Sequence, residues 1–131
     1  MMFSARLAKR VFTIFLATGL IGCSTEPQTG DIINYKGIYT WGDGIRSFQP
    51  CGSAHYYWVV QNSAIVEPMK ALSIALQNAR NESYQPVYVE ITAEHVEQPK
   101  AGFAIDFNGA IDILESTIIS EAIPSECTFN N

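Results

Sequence analysis

The stretch KGIYTWGDGIRSFQPCGSAHYYWVV, residues 36–60, decides the fold. Its first half reads as two strands, Lys36–Trp41 and Ile45–Phe48, on either side of Gly42-Asp43-Gly44. Glycine reaches positive φ without a Cβ clash, so this trio predicts a tight hairpin turn. Tyr56–Val60 (YYWVV) is aromatic and β-branched, the composition of a well-buried third strand. Three short strands in succession leave edges that the rest of the chain must pair or cover.

Downstream, the period changes. Pro68 fits the first turn of a helix, and Met69, Leu72, Leu76 and Ala79 recur at helical spacing between Lys70, Ser73, Gln77 and Arg80. That helix is expected to end near Asn81. Val87, Val89, Ile91 and Ala93 then alternate with Tyr88, Glu90, Thr92 and Glu94, a half-exposed strand. Phe103–Phe107 and Ala110–Leu114 flank Asn108-Gly109, which predicts a second hairpin with a type I′ turn. Ile118, Ile119 and Ile123 extend a last strand toward Cys127. Three strands, one helix and further strands predict a mainly β fold. The expected form is a small five-stranded OB-like Greek-key barrel with its helix between strands three and four. A small β-sandwich with one crossover helix is the alternative.

Upstream of this body lies a segment with a different physical character. Arg6, Lys9 and Arg10 are three of the chain's 8 basic residues, and no acid precedes Glu26. Val11–Ile21 (VFTIFLATGLI) carries no charge. Eleven residues rise about 16 Å as a helix, too short for a hydrocarbon core of about 30 Å but the right size for the apolar region of a secretory signal. The run closes in Leu20-Ile21-Gly22-Cys23, which resembles the lipobox of bacterial lipoproteins. That resemblance implies removal of residues 1–22, a thioether-linked diacylglyceryl group on Cys23 and acylation of its new amino terminus. Ser24, rather than Asp, follows the cysteine, as in lipoproteins forwarded to the outer membrane and facing the periplasm. Residues 23–31 then read as the lipidated Cys and a polar tether, and residues 32–131 as the folded domain. Ser24–Asp31 (STEPQTGD), fully extended, reaches at most roughly 28 Å.

Charge excludes one function class. The whole chain carries 8 basic and 13 acidic residues, a net −5. From residue 23 onward 5 bases face 13 acids, a net −8. Affinity for nucleic acid comes largely from cations that displace counterions, so such a body is not a nucleic-acid binder. A hydrophobic content of 47% excludes a disordered chain.

With Cys23 committed to lipid, Cys51 and Cys127 remain. In an exported protein an even remainder reads as one disulfide. Its 76-residue separation makes the bridge worth up to about 4.5 kcal/mol in the chain-entropy model. The rival reading is a reactive Cys51 thiol with His55 as its base. A spacing of four suits a helix, but Pro50 and Gly52 oppose one there.

Gly37-Ile38-Tyr39, Phe48-Gln49-Pro50-Cys51-Gly52-Ser53 and Tyr57-Trp58-Val59 together resemble the C-terminal OB domain of the NlpE lipoproteins. Pro86-Val87-Tyr88-Val89-Glu90 and the cysteine near the end fit the same pattern, so the resemblance covers roughly residues 35–128. It implies an envelope lipoprotein of the kind linked to copper resistance, envelope stress and surface contact. NlpE proteins carry a further N-terminal barrel with a Cys-x-x-Cys motif, which this sequence lacks, so properties of that half do not transfer. The resemblance supports the fold and the Cys51–Cys127 bridge more than any activity.

Candidate chemistry is sparse. Tyr39, Trp41, Tyr57 and Trp58, with Tyr56, could line a ligand groove on the face of strands two and three, or divide between core and sheet cover. Glu94, His95 and Glu97 could form a surface metal site, or a solvated rim. Asp106 and Asp112 could face each other across the Asn108 hairpin as an acid–base pair, or stand as edge charges. Met69 is expected in the core. The sequence contains no P-loop, Gly-x-Ser-x-Gly or His-Glu-x-x-His motif. The expectation is a non-enzymatic lipoprotein without cofactor or metal, bound to the membrane through its lipid and to a ligand or envelope protein through its barrel. The rivals are an inhibitor of a cationic envelope enzyme and a copper stress-defence protein.

Overall fold

The computed structural model describes residues 26–60 and 63–128, with Ser63 described by its backbone alone. The signal segment, Cys23 and the start of the tether lie outside the described residues. Five strands close into a barrel in the order β1-β2-β3-β5-β4. They are β1 Ile32–Gly42, β2 Ile45–Pro50, β3 Tyr57–Val59, β4 Val87–Val96 and β5 Ala110–Ser120. Helix α1, Ser63–Arg80, lies between β3 and β4. All pairings are antiparallel except β3 with β5. This is the OB-like Greek-key barrel, not the sandwich.

The hairpin forms as the sequence predicts. Gly42 pairs with Ile45, leaving Asp43 and Gly44 as a two-residue loop. Their φ values of 48° and 79° are the left-handed pair that a type I′ turn demands. Strand β1 serves two neighbours. Ile32–Tyr39 pair with β4 and Gly37–Gly42 with β2, so Gly37 to Tyr39 sit in both ladders. The closure is tight there: a Cβ on Gly37 would overlap the Phe48 ring and the Gln49 carbonyl.

Alternation along β4 turns Val87, Val89, Ile91 and Ala93 inward. They meet Tyr39, Phe48, Val59, Ile111 and Ile113 from the other strands and Val66 and Met69 from α1. Met69 is fully buried, as expected. Cys51 and Cys127 are joined in a disulfide, with their Cα atoms 4.3 Å apart. The bridge lies outside the barrel wall, in a small cluster with Ile38, Tyr88 and Ile123. It holds the chain's last described turn, Ser125–Cys127, against the end of β2.

Two expectations fail. The helix begins at Ser63, so Pro68 is its sixth residue and not in its first turn. Proline has no N–H to give, which normally argues against an interior position. Here the preceding turn is held by burial of Val66 in the core, and tertiary packing outweighs the lost bond. The far end behaves as expected: Asn81 adopts φ 52° and the Glu82 N–H donates to the Gln77 carbonyl, a Schellman closure. The second failure is the hairpin around Asn108-Gly109. Gly102–Asp106 forms a 3₁₀ turn, and Ala110–Ser120 is one long strand containing Ile118 and Ile119. The partner of β5 is β4, starting from Val96 opposite Ala110. Ile123 lies beyond the strand, beside the disulfide.

Candidate binding cleft

The barrel end that gathers the start of β1, the start of β3, the end of β4 and the start of β5 carries a cleft of about 400 Å³. Strand period puts its floor there. Continuing the inward series of β4 past Ala93 brings His95 to the core face, only 5% exposed. Tyr57, from β3, lies edge-to-face against both histidines of the chain, with ring centroids 5.0 Å from His95 and 6.5 Å from His55. Tyr35, from β1, completes the layer behind them, 5.9 Å from the His95 ring.

The polar atoms of this layer satisfy one another. The Tyr35 hydroxyl lies 2.7 Å from His95 Nε2, and the Tyr57 ring lies beside it, 6.3 Å between centroids. Either Tyr35 or His95 supplies the proton of that bond, according to the imidazole tautomer. Burial governs the charge states. It pushes Tyr35 up to about 12, aided by Tyr57 and the nearby Asp31 carboxylate. It raises Tyr57 as well, with the neighbouring Tyr35 acting the other way. It lowers His95 below the ordinary imidazole value, although Asp31 pulls the other way. All three groups are therefore neutral at neutral pH.

The rim is built from amides and from the incoming chain. The Gln98 side chain donates from Nε2 to the carbonyls of Phe107 (2.8 Å) and Ala104 (2.5 Å), pinning the 3₁₀ loop. Asn108 exchanges two bonds with Tyr56: its N–H donates to the Tyr56 carbonyl, and its Oδ1 accepts from the Tyr56 N–H at 2.8 Å. Both residues line the cleft, and these bonds leave the Gln98 Oε1 acceptor and the Asn108 Nδ2 donors unused. Glu26, Pro27 and Thr29 form the opposite wall. They are held there because Gly30 donates to the His95 carbonyl and His95 donates to the Asp31 carbonyl, at 2.7 and 2.8 Å. The segment expected to be a free tether is thus folded onto the barrel by residue 30, as an extension of the β1–β4 ladder. The cleft offers phenol, imidazole and amide groups over an aromatic floor with the Glu26 carboxyl group on its wall, a lining suited to holding a small polar ligand.

The proposed aromatic groove is not one surface. Tyr39 is fully buried in the core. Trp41 lies under Lys70 of α1, 5.0 Å from its ammonium. Trp58 faces the outside of the barrel, with the Arg46 guanidinium 5.0 Å from its ring and Phe107 against its edge. Only Tyr57 of the four reaches the cleft. Alternation along β3 separates it from Trp58.

The other candidates also come apart. His95 points inward while Glu94 points outward, and the exposed Glu97 meets Lys100 at 3.6 Å. Among the described residues no three His, Cys, Asp or Glu side chains gather closely enough to hold a metal ion. The disulfide removes the Cys51 thiol that His55 would have activated. Asp106 and Asp112 do not face each other, because the hairpin between them is absent; Asp112 stands beside Glu94 in the β4–β5 ladder. Sequence reasoning missed Tyr35, Gln98 and Asn108. It also missed the inward aim of His95, for which the period-2 pattern of β4 was a sufficient signal. Comparison of the chain with family models, curated proteins and solved structures gives no match.

Proposed function

We propose that the chain is an envelope lipoprotein of the NlpE kind, anchored through Cys23, whose barrel is a non-enzymatic binding or stress-sensing module. The cleft carries this reading. A closed five-stranded wall supplies a rigid frame. At its end, a phenol–imidazole pair and two amides held by backbone hydrogen bonds surround a space large enough for a small ligand. Groups held this way are preorganised for recognition.

Two measurements test it. Mass spectrometry of the protein from membranes should find a mature chain that begins at a lipid-bearing Cys23. A full-length, unmodified chain in the cytoplasm refutes the anchor. A photo-crosslinking residue at Gln98 in intact cells should capture a partner or envelope component that the same residue at Asp43, on the opposite end of the barrel, does not. Turnover of peptidoglycan, peptide or ester substrates that is lost on His55→Ala would refute the non-enzymatic reading.

A second reading has its own observation. The register sets Glu94 beside Asp112 and Thr92 beside the exposed Glu115 on the outer face of β4 and β5. Such a face would steer a cationic envelope enzyme, with an affinity that falls as salt screens it. A pull-down that yields no salt-sensitive basic partner removes it. The copper reading rests on the family resemblance alone, and calorimetry without micromolar copper binding by the oxidised domain ends it.

A further inference from the structure

We infer that the loop between β4 and β5 is a membrane-contacting edge, in which Phe103 and Ile105 enter the headgroup layer of the bilayer and set the cleft mouth against it. The inference rests on the lipid anchor at Cys23 proposed above.

The exposed apolar surface is unevenly distributed. Phe103 and Ile105 are 59% and 55% exposed, on either side of a buried Ala104. They are not loose. Ala104 packs beneath them beside Trp58 and Phe107, and Gln98 ties the carbonyls of Ala104 and Phe107. Tyr56 (47% exposed) and Ile32 (62%) lie at the same end of the barrel. Leu114 (38%) and Ile118 (44%) are spaced singly along β5, and at the opposite end the Tyr84 ring covers Gly42 while its hydroxyl donates to Asp43. A water-facing protein gains nothing from preorganised large apolar side chains at one pole, whereas an interfacial one does.

The chain's path identifies the occupant. Glu26 and Pro27 line the cleft wall, and only Ser24 and Thr25 separate them from Cys23. Three residue steps reach at most roughly 11 Å. Lipid on Cys23 therefore keeps this end of the barrel against the bilayer, and the apolar pair meets lipid before it meets a protein. Cationic attraction plays no part in the contact. Lys100 is the sole cation between residues 97 and 109, it is paired with Glu97, and the exposed Asp106 leaves the segment at net −1. Anionic lipid should therefore not strengthen insertion.

The test uses the lipidated protein reconstituted on vesicles. Cys51 and Cys127 are joined, so Phe103→Cys, Ile105→Cys and Asp43→Cys each add a single free thiol for a nitroxide label. On phosphatidylcholine vesicles the ratio of oxygen to nickel-complex accessibility should be several-fold higher at 103 and 105 than at 43. Adding phosphatidylglycerol should not raise it. Water-like ratios at all three sites, with lipid on Cys23 verified by mass, overturn the membrane contact and leave the anchor standing. Higher ratios only on anionic vesicles overturn it too, because the contact would then be electrostatic. A purified chain without lipid on Cys23, or still carrying Val11–Ile21, overturns the anchor and this inference with it.

Discussion

Replacing Tyr35 by Phe removes one oxygen and leaves the ring in place against Phe48 and Tyr57, at centroid distances of 5.5 and 6.3 Å. That oxygen serves one buried partner, His95 Nε2 at 2.7 Å. A group stranded without a partner costs about 1–3 kcal/mol. His95 lines the cleft, where water can partly replace the lost bond, so the lower part of that range applies, about 1 kcal/mol. For a domain of this size that is a fall in Tm of roughly 4–8 °C. Urea denaturation near pH 7.5 would measure it, read from the midpoint at constant slope. A double-mutant cycle with His95→Phe should return a coupling of about 1 kcal/mol, because both changes break the same hydrogen bond. A Tyr35→Phe protein as stable as the parent, or additive effects in the cycle, would refute the claim that this layer is a hydrogen-bonded unit.

Three further outcomes are expected. Burial lowers His95 in the fold, so the unfolded chain binds its proton first as the pH drops. Stability should therefore decline below about pH 6.5, and His95→Gln should flatten that decline in a series of urea midpoints; an unaltered slope counts against it. Cys51→Ala with Cys127→Ala should cost up to about 4.5 kcal/mol for a closed loop of this length, whereas two free thiols in the native envelope protein would show that the bridge is not made there. Gly37→Ala forces a methyl into Phe48 and the Gln49 carbonyl, and should destabilise by at least about 1–3 kcal/mol in the same denaturation assay.

The cleft was hard to read from sequence because its parts come from strand ends. Tyr35 looked like an ordinary residue before a strand, and Gln98 and Asn108 like loop residues. Their roles depend on which backbone carbonyls and N–H groups they meet, and those lie nine residues away for Gln98–Phe107 and 52 for Tyr56–Asn108. The false hairpin at Asn108-Gly109 has the same origin. A local turn signal competes with the β4–β5 ladder, whose nine paired positions make the longest register in the barrel. Pro68 similarly obeyed a local rule until burial of the turn before it changed the balance.

What the sequence determined by itself is what short-range chemistry controls. Positive φ at Asp43-Gly44 sets the first hairpin, period-2 alternation gives β4 its inner face, and period-3.6 apolar spacing gives α1 its buried stripe. Cysteine arithmetic paired Cys51 with Cys127. Only the tertiary structure decided that β5 pairs in parallel with β3 and in antiparallel with β4, and that closure brings His55, Tyr57 and His95 to one end of the barrel beside the incoming chain. Those contacts join residues up to 65 positions apart, as in the bond from Gly30 to the His95 carbonyl. They exist because a closed sheet must satisfy every strand edge at once, a constraint that no local window of sequence contains.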